Sequence, residues 1–177
     1  MRELCDSLAA GILKICEANN TKIACAESLT GGLLADAFVR IPGASNVLLG
    51  SAVTYDINAK ASILHVDKAL LDREGAYTPK SPGRWPSVPL AYTASRNTAT
   101  ESSAFPPPAW PAPGPDGDKP AGLVYVGLRI PASLTPDHAE VLKAVELHLD
   151  GMREEIRRLT VFHVLQNLSL FTASFKE

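Results

Sequence analysis

The sequence predicts an α/β layered domain, and three features point there. Short apolar runs without polar alternation read as strands buried on both faces. Stretches with apolar residues at helical spacing lie between them. Gly, Pro and Asn signals punctuate the joints. With 177 residues, 46% of them apolar, the chain suits one domain and is long enough to hold a core without staples.

Residues 2–18 place Leu4, Leu8, Ile12, Ile15 and Cys16 at helical spacing, and Asn19-Asn20-Thr21-Lys22 breaks the helix. Residues 23–26, Ile-Ala-Cys-Ala, form the first buried strand. Gly31-Gly32 then opens a helix over 33–41, which Pro42-Gly43 stops. Residues 47–55, rich in Val and Leu, read as the second strand, and 59–64 and 68–74 as short helices. Residues 122–130 are a third clear strand, whereas 140–147 fit either a strand or a helix. The segment 153–171, with Ile156, Leu159, Val164, Leu165 and Leu168, is the terminal helix.

Residues 79–115 break this pattern. They hold ten of the fourteen prolines, both tryptophans and a Ser/Thr/Ala run. Proline lacks the N–H that ladders and helix interiors require, so this stretch is expected to supply neither a central strand nor a regular helix. A structureless loop of such length is uncommon inside a compact domain.

Composition narrows the function classes. Seventeen bases against nineteen acids leave a net charge of −2, without the basic excess of a broad nucleic-acid face. No apolar run reaches the roughly 18–20 residues of a membrane span, and the first 20 residues carry acids where a signal peptide keeps an unbroken apolar core. A soluble cytoplasmic domain is expected. Cys5, Cys16 and Cys25 are an odd set without C-x-x-C spacing, which reads as buried thiols rather than as disulfides or a zinc site. His65, His138, His148 and His163 are scattered without ligand spacing, so no metal site is expected.

Two segments carry chemistry. Ala26-Glu27-Ser28-Leu29-Thr30-Gly31-Gly32 lies between a strand and a helix, where glycines let the backbone approach a ligand and the helix N-terminus suits an anion. Ser28 on that turn can face a cleft at the carboxyl end of the strand, or it can simply cap the helix. In Val53-Thr54-Tyr55-Asp56-Ile57-Asn58-Ala59-Lys60, Tyr55 ends a strand and Lys60 follows in the first helical turns. Taken singly, these two are a strand-end aromatic and a solvated helix lysine.

In combination, these motifs resemble the C-terminal domain of the competence/damage-inducible protein CinA, a family that includes nicotinamide-nucleotide amidohydrolases. Ile41-Pro42-Gly43-Ala44-Ser45, the Leu71 to Tyr77 turn, Gly114-Pro115-Asp116-Gly117-Asp118-Lys119-Pro120-Ala121-Gly122 and Gly151-Met152-Arg153 extend the match in register. The resemblance implies one three-layer α/β/α domain over 1–177 with a mixed central sheet, disrupted at about 79–115. It implies a serine–lysine amidohydrolase that deamidates nicotinamide mononucleotide, with Ser28 as nucleophile and Lys60 as base. A lysine near its ordinary pKa of about 10.4 is protonated at neutral pH, so a base of this kind needs burial or a neighbouring cation. Tyr55 relays the proton or holds the lysine, and the Thr30-Gly31-Gly32 backbone is the candidate oxyanion donor. Arg153 matches a family arginine suited to a substrate phosphate, or is a surface arginine paired with Glu154 or Glu155. Glu27 borders the substrate side, or only stabilises the helix N-terminus. The expected substrate is a small-molecule nucleotide, with no cofactor, no metal, no nucleic acid and no membrane, in a homo-oligomer. A catalytically silent CinA-like domain that binds a nucleotide or a partner is the alternative.

One departure stands out. Where the family carries a central strand ending in Thr-Gly-(Ile/Leu)-Ala-Gly-Pro, this chain reads Phe105-Pro106-Pro107-Pro108-Ala109-Trp110-Pro111-Ala112-Pro113. Codons for those nine residues, shifted by one nucleotide, can encode Val-Ser-Thr-Thr-Gly-Leu-Ala-Gly-Pro. Residues 79–113 are therefore expected to be read out of frame. A chain that truly carries them is expected to lose a helix and a central strand, leaving a gap or an unpaired edge in the sheet.

Overall fold

The computed structural model describes residues 1–69, 100–105, 122–135 and 137–173. Helix α1 spans Arg2–Ala18. Its buried face is Cys5, Ala9, Ile12, Leu13 and Cys16, turned by one residue from the expected stripe, so that Leu4 faces solvent. Asn20 ends the helix in the left-handed region, φ 51°, which asparagine tolerates because its side chain bonds locally.

Strand β1 (Thr21–Glu27) is buried along nearly its whole length, as an apolar run covered on both faces should be. Helix α2 (Leu33–Val39) carries the crossover to strand β2 (Leu48–Val53), through a 3₁₀ turn at Ala44–Asn46. Helix α3 is Ile57–Leu64. The next predicted helix begins at Lys68, and its residues 70–74 lie outside those described. Strands β4 (Leu123–Ile130) and β5 (Val141–His148) form an antiparallel pair, which resolves 140–147 as a strand. The terminal helix α4 is Arg153–Ala173.

Strand β3, Thr100–Phe105, corrects the sequence reading. It runs parallel to β1 on one side and antiparallel to β4 on the other, in the middle of the order β2-β1-β3-β4-β5. The 79–115 stretch does supply a central strand, and among the described strands the sheet has no gap. The reason is local. Residues 90–105 contain no proline, so the N–H groups of Thr100–Phe105 are able to join the ladder. The rest of the irregular segment and the turn at 114–121 lie outside the described residues.

The sheet is mixed. Its parallel half, β2-β1-β3, pairs Glu27 with Val53 and Cys25 with Ala104. Helices α1, α2 and α4 pack together against one face. There Ile23 and Cys25 of β1 meet Val124, Val126, Leu128 and Ile130 of β4, with Leu34, Phe38, Val164 and Leu165 from the helices. Phe38, Leu34 and Leu165 are fully enclosed, each burial being worth about 1.5–3 kcal/mol. Ala26, with its side chain on the opposite face, meets Leu64 and Val66 at the end of α3. The strand ends after Glu27 and after Val53 therefore open at the same sheet edge, where open α/β sheets hold their ligands.

Candidate active site

Two chain segments converge at that edge. Ser28 directly follows β1. Thr54 directly follows β2, and its N–H donates to the Glu27 carbonyl at 2.8 Å, carrying the parallel pairing one residue past the strand. Asp56 then caps α3, accepting from the Asn58 and Ala59 amides at 2.8 and 3.3 Å, as an aspartate at the N-cap does. Lys60 lies one turn into α3, and its amide donates to the Asp56 carbonyl. Side chains on a helix lean toward its N-terminus, so the lysine reaches back over the turn that precedes it.

The ammonium of Lys60 ends in a closed shell of oxygens. Nζ lies 2.6 Å from the Thr54 carbonyl, 3.0 Å from the Tyr55 carbonyl and 3.2 Å from Ser28 Oγ. Lys60 is 3% exposed and Ser28 5%. Burial disfavours the charged form and holds the Lys60 pKa below its ordinary value, against the opposing pull of the Asp56 carboxylate. Two carbonyls are the natural partners of the two N–H bonds of a neutral amine. Nζ as an ammonium also donates to Ser28 Oγ; in the neutral amine its lone pair would face that hydroxyl instead.

Glu27 is fully buried and its carboxylate is spent inside the protein. Oε2 accepts from the Gly32 and Leu34 amides at 2.9 and 3.0 Å, and Oε1 from the Ala35 amide at 3.0 Å and Ser51 Oγ at 2.8 Å. Of its two expected roles, the structure places Glu27 in the second, as the internal anion at the α2 N-terminus. Ser28 does not cap that helix. Gly32, at φ 97°, stands at the N-cap position, a conformation that favours glycine.

The oxyanion expectation changes accordingly. The Gly32 amide is given to Glu27, and the Gly31 amide donates to the Ser28 carbonyl at 3.1 Å. Thr30 remains. Its Oγ1 is buried and, among the described residues, has no hydrogen-bond partner, which is unusual enough to call for a reason.

Tyr55 is 56% exposed. Its phenol does not reach Lys60; it accepts from Arg153 Nη2 at 2.7 Å, while its carbonyl holds the lysine. The structure thus brings together Ser28 and Lys60, and separately Tyr55 and Arg153. Sequence reasoning missed Thr54, whose carbonyl makes the shortest Lys60 contact, and Arg157, which reaches the carbonyls of Leu29 and Thr30 from α4. The available signal was spacing: Arg157 follows Arg153 by four residues and shares its helix face. Arg157 and Arg158 both pair with Glu154. Cys5, Cys16 and Cys25 are buried free thiols, and burial pushes Cys16 up to about 12. Among the described residues no group of three or more His, Cys, Asp or Glu side chains could hold a metal ion, and no helix is long and apolar enough to cross a membrane.

Comparison with known proteins agrees with this architecture. The CinA C-terminal domain family model matches residues 5–104. A CinA-like protein of Frankia casuarinae is 36% identical over 160 residues, which cover 90% of this chain and 34% of that protein. The competence/damage inducible protein CihA of Agrobacterium tumefaciens superposes with a TM-score of 0.74 at 28% identity, covering 95% of both chains. A CinA superfamily protein of Klebsiella pneumoniae 700603 gives a TM-score of 0.75 over 97% of this chain and 99% of that one, at 18% identity, a likeness of fold alone. The chain spans about a third of the length of the curated relatives it matches. By family model, sequence and fold together, the chain belongs to the CinA C-terminal domain family.

Proposed function

We propose that this domain is a serine–lysine amidohydrolase that converts nicotinamide mononucleotide to nicotinate mononucleotide and ammonia. The supporting observation is the buried contact between Lys60 Nζ and Ser28 Oγ at 3.2 Å, in surroundings that depress the lysine pKa. Serine is a weak nucleophile until a base takes its proton. The neutral Lys60 amine takes it, and Oγ attacks the carboxamide carbon to form a tetrahedral intermediate. Collapse breaks the C–N bond. The Lys60 ammonium returns the proton to the departing nitrogen, and ammonia leaves an acyl-serine. A water that gives one proton to Lys60 then attacks the acyl carbon. The bond from that carbon to Ser28 Oγ breaks as the Lys60 ammonium returns the proton to Oγ. The nicotinic acid group released ionises to the carboxylate, its proton passing to ammonia as ammonium. The substrate itself rests on the family resemblance.

Ammonia release from nicotinamide mononucleotide tests the reading, with Ser28→Ala and Lys60→Ala as the decisive variants. Loss of turnover to background in both supports it. Turnover that survives either substitution removes the mechanism. A well-folded wild type that releases no ammonia turns the reading to a CinA-like domain that binds a nucleotide without reacting.

A further inference from the structure

Arg157 lies one turn into α4, in a run of charges that suggests a solvated helix face. Its guanidinium does something else. Nε donates to the Leu29 carbonyl at 3.1 Å and Nη2 to the Thr30 carbonyl at 3.0 Å, while Nη1 donates to Glu154 Oε2 at 2.7 Å. A guanidinium is a planar fork that stays charged, with donors in fixed directions. Bound to two consecutive carbonyls, it fixes two consecutive peptide planes. In a trans peptide the N–H points away from the C=O, so the directions of the Thr30 and Gly31 amides are set as well.

The turn is cut to fit this fork. Gly31 has φ +57°, and a Cβ added there would stand 3.2 Å from Arg157 Nη2. On its other side the turn is tied inward, Gly31 to the Ser28 carbonyl and Gly32 to the Glu27 carboxylate. Residues 28–32 are thus clamped between Glu27 and Arg157, with Ser28 as the first residue of the clamped turn.

Resting on the Ser28–Lys60 reading above, we infer that Arg157 is a positioning residue. It holds the nucleophile turn against α4 and keeps Ser28 Oγ at Lys60 Nζ without touching substrate. A misplacement of about 1 Å at a reacting group costs on the order of 100-fold in rate. Loss of the fork therefore lowers kcat about 100-fold and leaves KM nearly unchanged, because the missing alignment matters at the chemical step.

Arg157→Ala, Arg157→Lys and the charge-matched control Arg158→Ala, whose Nε donates to Glu154 Oε1 on the same helix, decide the matter. The readouts are kcat and KM on nicotinamide mononucleotide, and NMR exchange rates of the Gly31 and Gly32 amides. The expected pattern is a fall in kcat with steady KM, deeper for Ala than for Lys, and exchange about tenfold faster in the turn. Arg158→Ala changes neither. A raised KM with kcat kept makes Arg157 a substrate contact and overturns the inference, as do unchanged kcat and exchange. If Arg157→Ala does not fold, Arg157→Lys carries the same comparison. If the wild type does not turn over the nucleotide, the amidohydrolase reading fails. The exchange rates still decide the clamp, acceleration upholding it and equality overturning it.

Discussion

Replacing Glu27 by glutamine changes one heavy atom in a side chain that accepts four hydrogen bonds. They come from the amides of Gly32, Leu34 and Ala35 and from Ser51 Oγ, and the carboxylate is fully buried. In its better orientation the glutamine keeps its oxygen toward Gly32 and Leu34. Those two bonds pass from charge-assisted to neutral, a loss of about 1 kcal/mol each. The amide nitrogen then faces two donors. The Ser51 hydroxyl can turn and accept, but the Ala35 N–H cannot, and a buried orphan donor costs about 1–3 kcal/mol. The neutral group regains part of this through cheaper burial, so the expected destabilisation is about 3 kcal/mol. For a domain of this size that lowers Tm by about 6–12 °C. Urea unfolding followed by far-UV circular dichroism measures it. A loss below about 1 kcal/mol would refute the reasoning, because the turn carrying Ser28 would then be held by something other than this carboxylate.

Three further expectations follow from single observations. Gly122 has φ +81°, and an added Cβ would lie 1.9 Å from the Leu149 carbonyl oxygen, so Gly122→Ala should cost about 3 kcal/mol in the same denaturant assay. Thr30→Val removes a buried hydroxyl that has no partner among the described residues; stability is expected to stay level or rise by about 1 kcal/mol, and a comparable loss would show that the hydroxyl is satisfied in solution. Sequencing the gene and transcript across 79–113 should reveal compensating one-nucleotide changes, whereas an uninterrupted proline-rich frame matched by peptide masses would contradict the out-of-frame reading.

Much of the fold was legible because burial imprints on local pattern. The apolar run 23–26 became the doubly covered strand β1, and residues 2–18 and 153–171 became helices close to those bounds. The strand at 100–105 was hidden. Ser, Thr and Ala there carry no alternation, and the flanking prolines dominated the reading although none lies between 90 and 105. At the site, the family resemblance, not the spacing alone, implied that Ser28 and Lys60 belong together, and the structure places them 3.2 Å apart. What spacing could not convey was direction. Glu27 turns inward to the helix amides, and the Tyr55 phenol turns outward to Arg153 while its carbonyl serves the lysine. Main-chain partners such as the Thr54 carbonyl depend on backbone orientation, which side-chain identity does not encode.

The proposed chemistry turns on the protonation of Lys60. Its folded pKa lies below the ordinary value of about 10.4 because the ammonium is buried. Between the two values the unfolded chain binds the extra proton and the folded chain does not. Stability therefore rises with pH across that window, and the cost of burying the charge is fully present below the folded pKa. An NMR titration of the Lys60 side chain in the intact wild type, assigned by comparison with Lys60→Met, reads this pKa directly. The expected midpoint lies below that of a free lysine; a midpoint at or above it would leave Ser28 without a base.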